Sequence, residues 1–169
     1  MSDKTTPDNA GYTRAATLGF VAGLRSMTPF ALLSAASQRQ GSPAGFAAMQ
    51  PAPFSLLRSR GTLVVTGLAA AGELVGDKLP MVPSRLQTGP FIGRLVIGGL
   101  TGAAIGAAAR LNPIVCGVLG GGAAAAGSYA GASYRKAAGA TGVPDVVWAL
   151  LEDATALGLG YAALKQYFG

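Results

Sequence analysis

Glu73, Asp77 and Lys78 are the residues of this chain best placed to do chemistry, because their surroundings are almost wholly apolar. The run Gly61 to Pro80 reads GTLVVTGLAAAGELVGDKLP, and nothing before Glu73 in it is charged. A charge at the centre of a bilayer costs at least ~2.5–3.5 kcal/mol, so such groups turn toward a protein interior or a water-filled cavity. Glu73 and Asp77 are four residues apart and share one helical face. Two carboxylates so placed call for a cation between them, and Arg25, in the preceding apolar segment, is the nearest by sequence. The reading is a polar site of Arg25, Glu73 and Asp77 between the first two segments, with Lys78 reaching from the helix end toward the surface. Glu152 and Asp153 form a second acidic pair late in the chain. Being adjacent, they point in different directions, so at most one is expected to reach the centre of a bundle. These six residues are the candidate substrate- or ion-binding set.

Other chemistries are excluded by composition. The chain has no histidine and one cysteine, Cys116. That removes Ser-His-Asp catalysis, the His-based proton shuttle, the usual zinc sites and any intramolecular disulfide. No cofactor and no metal site is indicated, and Cys116 reads as a small packing residue. Thirteen Lys and Arg against seven acids give a net charge of +6, but the basic residues are scattered singly between apolar segments. No basic stripe interleaved with aromatics is present, so nucleic acid is not an expected partner. Lys and Arg meeting lipid head groups account for the excess.

The elements that must carry these residues are those of a membrane protein. Half the residues are hydrophobic and 12% are charged, against about 25% charged in soluble domains. The expected fold class is all-α: a polytopic membrane protein with about five transmembrane helices, forming one domain over residues 12–169 behind a disordered tail of residues 1–11. The five apolar segments run roughly 12–37, 62–78, 91–110, 113–138 and 144–167, each near the ~20 residues that cross a ~30 Å core. The first contains Thr28-Pro29, a hinge where the proline removes a helical hydrogen bond and crowds the carbonyl of Arg25. The only long loop spans residues 38–60, and its end, with Phe54, Leu56, Leu57, Arg58 and Arg60, is suited to lie at the membrane interface. Leu111-Asn112-Pro113 is a tight turn that makes its flanking helices antiparallel neighbours, and residues 139–144 form another.

Small residues at four-residue spacing supply the packing. Gly98, Gly102 and Gly106 line one helix, and Gly117 with Gly121, then Gly127 with Gly131, line the next. Such spacing lets helix backbones approach closely in lipid. Close packing within the bundle, and a homo-oligomer such as a dimer, are the expected uses. Helices one-two and four-five also read as copies of one unit. Ala22-Gly23-Leu24-Arg25-Ser26 parallels Ala132-Ser133-Tyr134-Arg135-Lys136, each followed by a helix with acids. Three helix steps separate the copies, which would make them inverted repeats with a site at their interface.

Gly23-Leu24-Arg25-Ser26-Met27-Thr28-Pro29, followed by Glu73-Leu74-Val75-Gly76-Asp77-Lys78-Leu79-Pro80 and then Ser84-Arg85, resembles a family of small bacterial membrane proteins of unknown function, domain of unknown function 4126. The resemblance covers residue 12 to about 166. It implies an all-helical fold in the bacterial inner membrane and no activity. The chain departs from the family where many members have an aspartate after the proline; here the run is Met81-Val82-Pro83-Ser84.

The functional expectation is a transporter or channel for an ion or small polar solute. The alternative is a structural or accessory membrane subunit. A lipid-modifying enzyme ranks last, as the chain lacks the Asp-rich element of CDP-alcohol transferases and the histidine of membrane phosphatases. For orientation, the side bearing the amino terminus would hold Lys4, Arg14, Arg85, Arg94, Arg135 and Lys136, against Arg39, Arg58, Arg60, Arg110 and Lys165 opposite. Six against five favours a cytoplasmic amino terminus. With five spans, single cysteines replacing Asp3 and Gly169 in a Cys116→Ser background are expected to label from opposite faces of sealed vesicles. Labelling from one face in a single population would contradict five spans.

Overall fold

Proline, glycine and capping residues cut the described part of the chain into six α-helices. The computed structural model describes residues 9–38, 54–76 and 86–168. They form α1 (Asn9–Leu24), α2 (Thr28–Ser37), a 3-10 turn (Phe54–Arg58), α3 (Arg60–Gly76), α4 (Thr88–Ala108), α5 (Pro113–Gly139) and α6 (Asp145–Phe168). The chain is all-helical, with no strand among the described residues. Asp77, Lys78 and the loop residues 39–53 lie outside the described residues.

Among the described residues three helices are long and apolar enough to cross a membrane: α4, α5 and Asp145–Lys165 of α6. They carry outward-facing Val96, Ile114, Val118 and Leu150, each about half exposed or more, the surface a lipid-embedded helix needs. The segment from Tyr12 to Ser37, where Pro29 was expected to kink or break the helix, is broken into two helices, starting at Asn9 and cut at Arg25–Met27. Pro29 sits in the first turn of α2, where its missing N–H costs no helical bond and its fixed φ suits the helix. The ladder of α1 closes with Arg25 N donating to Val21 O at 2.7 Å, and that of α2 opens with Ala31 N donating to Met27 O at 3.0 Å.

The turn at 111–113 has the expected tightness and a defined chemistry. Leu111 N donates to Gly106 O at 2.8 Å and Arg110 adopts φ 57°, the left-handed position that ends a helix in a Schellman motif. Asn112 then caps α5, its Oδ1 accepting from Ile114 N at 2.9 Å and Val115 N at 3.3 Å, with Pro113 opening the helix. Two helices leave this turn antiparallel and in contact along their length.

Glycine makes α5 the centre of the bundle. It packs most extensively against α4 on one side and α1 on the other. A Cβ on Gly98 would lie 2.6 Å from Ala124 Cβ, and one on Gly106 2.8 Å from Cys116 Cβ. At Gly102 it would strike the Cys116 carbonyl, and at Gly120 the Gly98 carbonyl. Gly127 meets Phe20 and Gly23 of α1 with the same closeness, while Gly117 and Gly121 sit more loosely over Gly99 and Leu95. The glycine ridges expected on α4 and α5 thus close on each other within the chain. Gly19 and Gly23 of α1, not singled out by the sequence, complete the set by seating on Gly120 and Ala124. Cys116 is fully buried in this seam. By contrast α3 rests mainly on α2 and the 3-10 turn, and Thr66 is its sole buried residue.

Backbone-to-backbone contact leaves no room for a side chain, so Gly102→Leu and Gly120→Leu are each expected to lower stability in detergent by at least the ~1–3 kcal/mol typical of overpacking. Gly122→Leu, with open space at its Cβ, is expected to leave thermal unfolding unchanged. Equal effects at Gly120 and Gly122 would contradict the packing.

Candidate functional site

The break between α1 and α2 sets the geometry of the site. Three residues, Arg25, Ser26 and Met27, lie between the helices, and the backbone groups around them lack helical partners. Side chains from two other helices supply them. Glu73 of α3 accepts from Ser26 N (2.8 Å) and Ser26 Oγ (3.0 Å) at Oε1, and from Met27 N (3.0 Å) at Oε2. Arg94 of α4 donates through Nη1 to Gly23 O (2.7 Å) and Leu24 O (2.9 Å). Its Nη2 reaches Glu73 Oε1 at 3.3 Å. An anion thus stands before the N-terminus of α2 and a cation at the C-terminus of α1, each matched to the helix dipole it meets.

Arg25 itself points away from this pair. It is fully buried, with Nε donating to Asp153 Oδ1 at 2.6 Å, its Nη2 also on Asp153 and 3.8 Å from Glu152 Oε2. Glu152 Oε2 is in turn 3.8 Å from Arg135 Nη1 of α5, and Arg135 Nη2 pairs with Asp145 Oδ2 at 2.6 Å. Ser128 of α5 adds a hydroxyl that donates to Ala124 O (2.9 Å) and Gly23 O (3.3 Å). The network therefore has two arms that meet at the helix break. One is Arg94–Glu73 on the backbone. The other runs Asp153–Arg25, Glu152, Arg135. Three arginines, Arg25, Arg94 and Arg135, face four acids, of which Glu152 and Asp153 are buried, Glu73 is partly buried and Asp145 is exposed.

Two expectations are corrected. Among the described residues Arg25 makes no ion pair with Glu73, and its carboxylate partners there are Asp153 and Glu152, 128 and 127 positions away in sequence, because α6 packs across both α1 and α2; the expected contact with Asp77 lies outside the described residues. Glu152 and Asp153 do not diverge so far that only one reaches the interior. Both are buried, at 3% and 7% exposure, since the long Arg25 guanidinium spans the angle between them. Thr28 and Pro29 are where the hinge was expected, buried at the start of α2. Gly131 is buried but lines a cavity with Phe20, Leu24 and Tyr134, and is not part of the α4–α5 seam.

Arg94 is the functional candidate the sequence reading missed. It was counted among residues flanking the membrane, yet it is 7% exposed and holds the break together. Its signal was position: a lone arginine inside an apolar segment, with no other charge until Arg110. Removing it from the flanking residues turns six against five into five against five, so charge asymmetry no longer favours either orientation. Among the described residues no cluster suited to a metal ion occurs.

The chain belongs to the family described as Domain of unknown function (DUF4126), which it matches over residues 13–166. No curated protein and no solved structure matches it. With three apolar helices of crossing length, the family assignment describes a helical protein compatible with membrane insertion.

Removing one partner of a buried pair leaves the other uncompensated, at a cost of about 3–5 kcal/mol. Asp153→Asn is therefore expected to destabilise strongly, since Asp153 holds Arg25 by a direct hydrogen bond. Glu152→Gln, at 3.8 Å from each arginine, is expected to cost less. Arg25→Lys is expected to restore little, because one ammonium cannot copy the Nε and Nη fork. Thermal unfolding in detergent gives the ranking, and a larger loss for Glu152→Gln than for Asp153→Asn would contradict it.

Proposed function

We propose that the chain is a small integral membrane protein whose α1–α2 break is the solute site of a transporter, the solute being a small anion. On this reading α4, α5 and α6 each cross the bilayer, α1 and α2 together make a fourth crossing as a discontinuous helix, and α3 makes the fifth. Discontinuous helices are where transporters bind solutes, because their cut ends offer backbone groups inside the membrane. The observation that carries the reading is the Glu73 carboxylate seated on two main-chain amides, a hydroxyl and the Arg94 guanidinium. Those four donors suit any small carboxylate or oxyanion as well as they suit Glu73. Glu73 is carried by the helix with the fewest buried residues, so its withdrawal disturbs little else. Exchange of the internal carboxylate for a solute anion is the proposed step.

A second reading has its own support. Every buried charge named above has a partner of opposite sign within the chain, which is what a structural or accessory subunit requires. Glycine ridges engaged inside the chain leave any homo-oligomer to form through other surfaces.

Reconstitution into liposomes with a panel of small inorganic and organic anions separates the two. Transport predicts saturable flux in the wild type and at least a tenfold loss in Arg94→Met, with Glu73→Gln remaining folded and altered in flux. The accessory role predicts no flux from folded wild-type protein and unfolding of Glu73→Gln. Absence of flux across the panel overturns the transport reading.

A further inference from the structure

The net positive charge of the described residues gathers at one end of the bundle. Leu57 of the 3-10 turn packs in one buried cluster with Ala15 of α1, Ala108 of α4 and Leu164 of α6. A Cβ on Gly11 would strike Leu111 in the α4–α5 turn. These contacts bring together Arg14, Arg58, Arg60, Arg110 and Lys165, none of them buried. Segment order alone set Arg14 on the opposite face from the other four. The four described acids lie elsewhere, paired around the helix break and Arg135, where Arg25, Arg94, Arg135 and Lys136 cancel their charge. Outside the described residues, the flanking runs 1–8 and 39–53 add Lys4 and Arg39 against Asp3 and Asp8, which leaves the excess unchanged.

A groove of about 520 Å³ opens at this end between α1 and α6. Thr13, Arg14 and Thr17 line one side, and Leu159, Ala162 and Ala163 the other. Lys165 is exposed two residues beyond Ala163. Side chains on a helix lean toward its amino terminus, so Arg14 leans toward the end of the bundle, as a snorkelling arginine does. The hydroxyls of Thr13 and Thr17 donate to the carbonyls of Asn9 (2.8 Å) and Thr13 (2.9 Å). The guanidinium is therefore the charged feature of the groove, and its five N–H donors are more than one partner uses.

Charge and shape together select an occupant. An apolar wall beside a cation, on a helix long and apolar enough to cross a membrane, fits an amphiphile better than a free anion. An excess of positive charge without acids favours an anionic head group over a zwitterionic one, whose own cation it would repel. We propose that the α1–α6 groove binds an acidic glycerophospholipid. Its phosphate sits at Arg14 with Lys165 beside it, and an acyl chain runs along Leu159, Ala162 and Ala163. The proposal rests on contacts at this end alone and is independent of solute transport at the helix break.

The test is photo-crosslinking of the full chain in phosphatidylcholine nanodiscs, doped with phosphatidylglycerol or phosphatidylcholine carrying a diazirine on the acyl chain. Phosphatidylglycerol is expected to label peptides containing Ala10–Thr17 and Leu159–Ala163 at least fivefold more than phosphatidylcholine. Arg14→Gln is expected to remove that preference. Ala162→Phe, at an exposed position in the groove, is expected to abolish the labelling with unchanged thermal unfolding. Arg58→Gln removes a charge from the same end but outside the groove, and is expected to leave the labelling within twofold. Equal labelling by the two lipids, or labelling that survives Ala162→Phe, would overturn the proposal. An equal loss in Arg58→Gln and Arg14→Gln would also do so, since it would show diffuse attraction to the surface rather than a site. So would displacement of the probe by inorganic phosphate but not by unlabelled phosphatidylglycerol. If Arg14→Gln fails to fold, Ala162→Phe and the ratio of the two lipids in the wild type decide.

Discussion

Backbone groups at the α1–α2 break must find partners in surroundings where water is scarce, and the rest of the polar structure follows from that requirement. Pro29 cannot donate to the Arg25 carbonyl and its ring would crowd it. The helix therefore ends at Leu24 and starts again at Thr28. An unsatisfied amide or carbonyl in an apolar interior costs about 1–3 kcal/mol on mutational evidence. Two amides and two carbonyls at the break would, if orphaned, threaten a fold of ordinary stability. Glu73 and Arg94 meet all four. Since each brings a charge, each needs the other, and they lie 3.3 Å apart.

The second arm follows the same logic. Ending α1 leaves Arg25 at the end of its ladder, fully buried. Only a carboxylate close enough for direct contact compensates such a cation. Asp153 does this, and Glu152 and Arg135 extend the chain of charge to the surface at Asp145. Glycine allows the arms to meet: Gly19, Gly23, Gly120 and Gly127 bring α1 and α5 so close that Ser128 reaches the Gly23 carbonyl. The rigid α1–α4–α5 core and the lightly held α3 divide the molecule into a fixed donor set and a carboxylate arm.

Local features of this design were legible in the sequence, and the long-range pairings were not. Apolar runs, Leu111-Asn112-Pro113, Pro29 and the glycine spacing each act through neighbours within a turn or two, so their consequences could be read directly. Glu73 could be marked as interior because a charge in an apolar run has few other places to go. Its partners could not, since nothing local says that α4 would bring Arg94 to it. Choosing Arg25 instead assumed that adjacent segments pair their charges. Arg94 was misread because the positive-inside rule treats every arginine near a segment end as a flank, and only Phe91, Ile92 and Gly93 of the expected apolar segment precede it. Glu152 and Asp153 were misjudged because adjacency on a helix separates directions by about 100°, an angle that a long guanidinium can span.

The claim that Glu73 holds the break is tested most directly by amide resonances of Ser26 and Met27 in selectively ¹⁵N-labelled protein in nanodiscs. Both amide protons are expected downfield and slow to exchange in the wild type, as charge-assisted hydrogen bonds to a carboxylate require. In Glu73→Leu both signals are expected to move upfield and exchange faster, while labelled amides in the α4–α5 seam stay in place. Unchanged Ser26 and Met27 resonances in a folded Glu73→Leu protein would show that the break is held by something else.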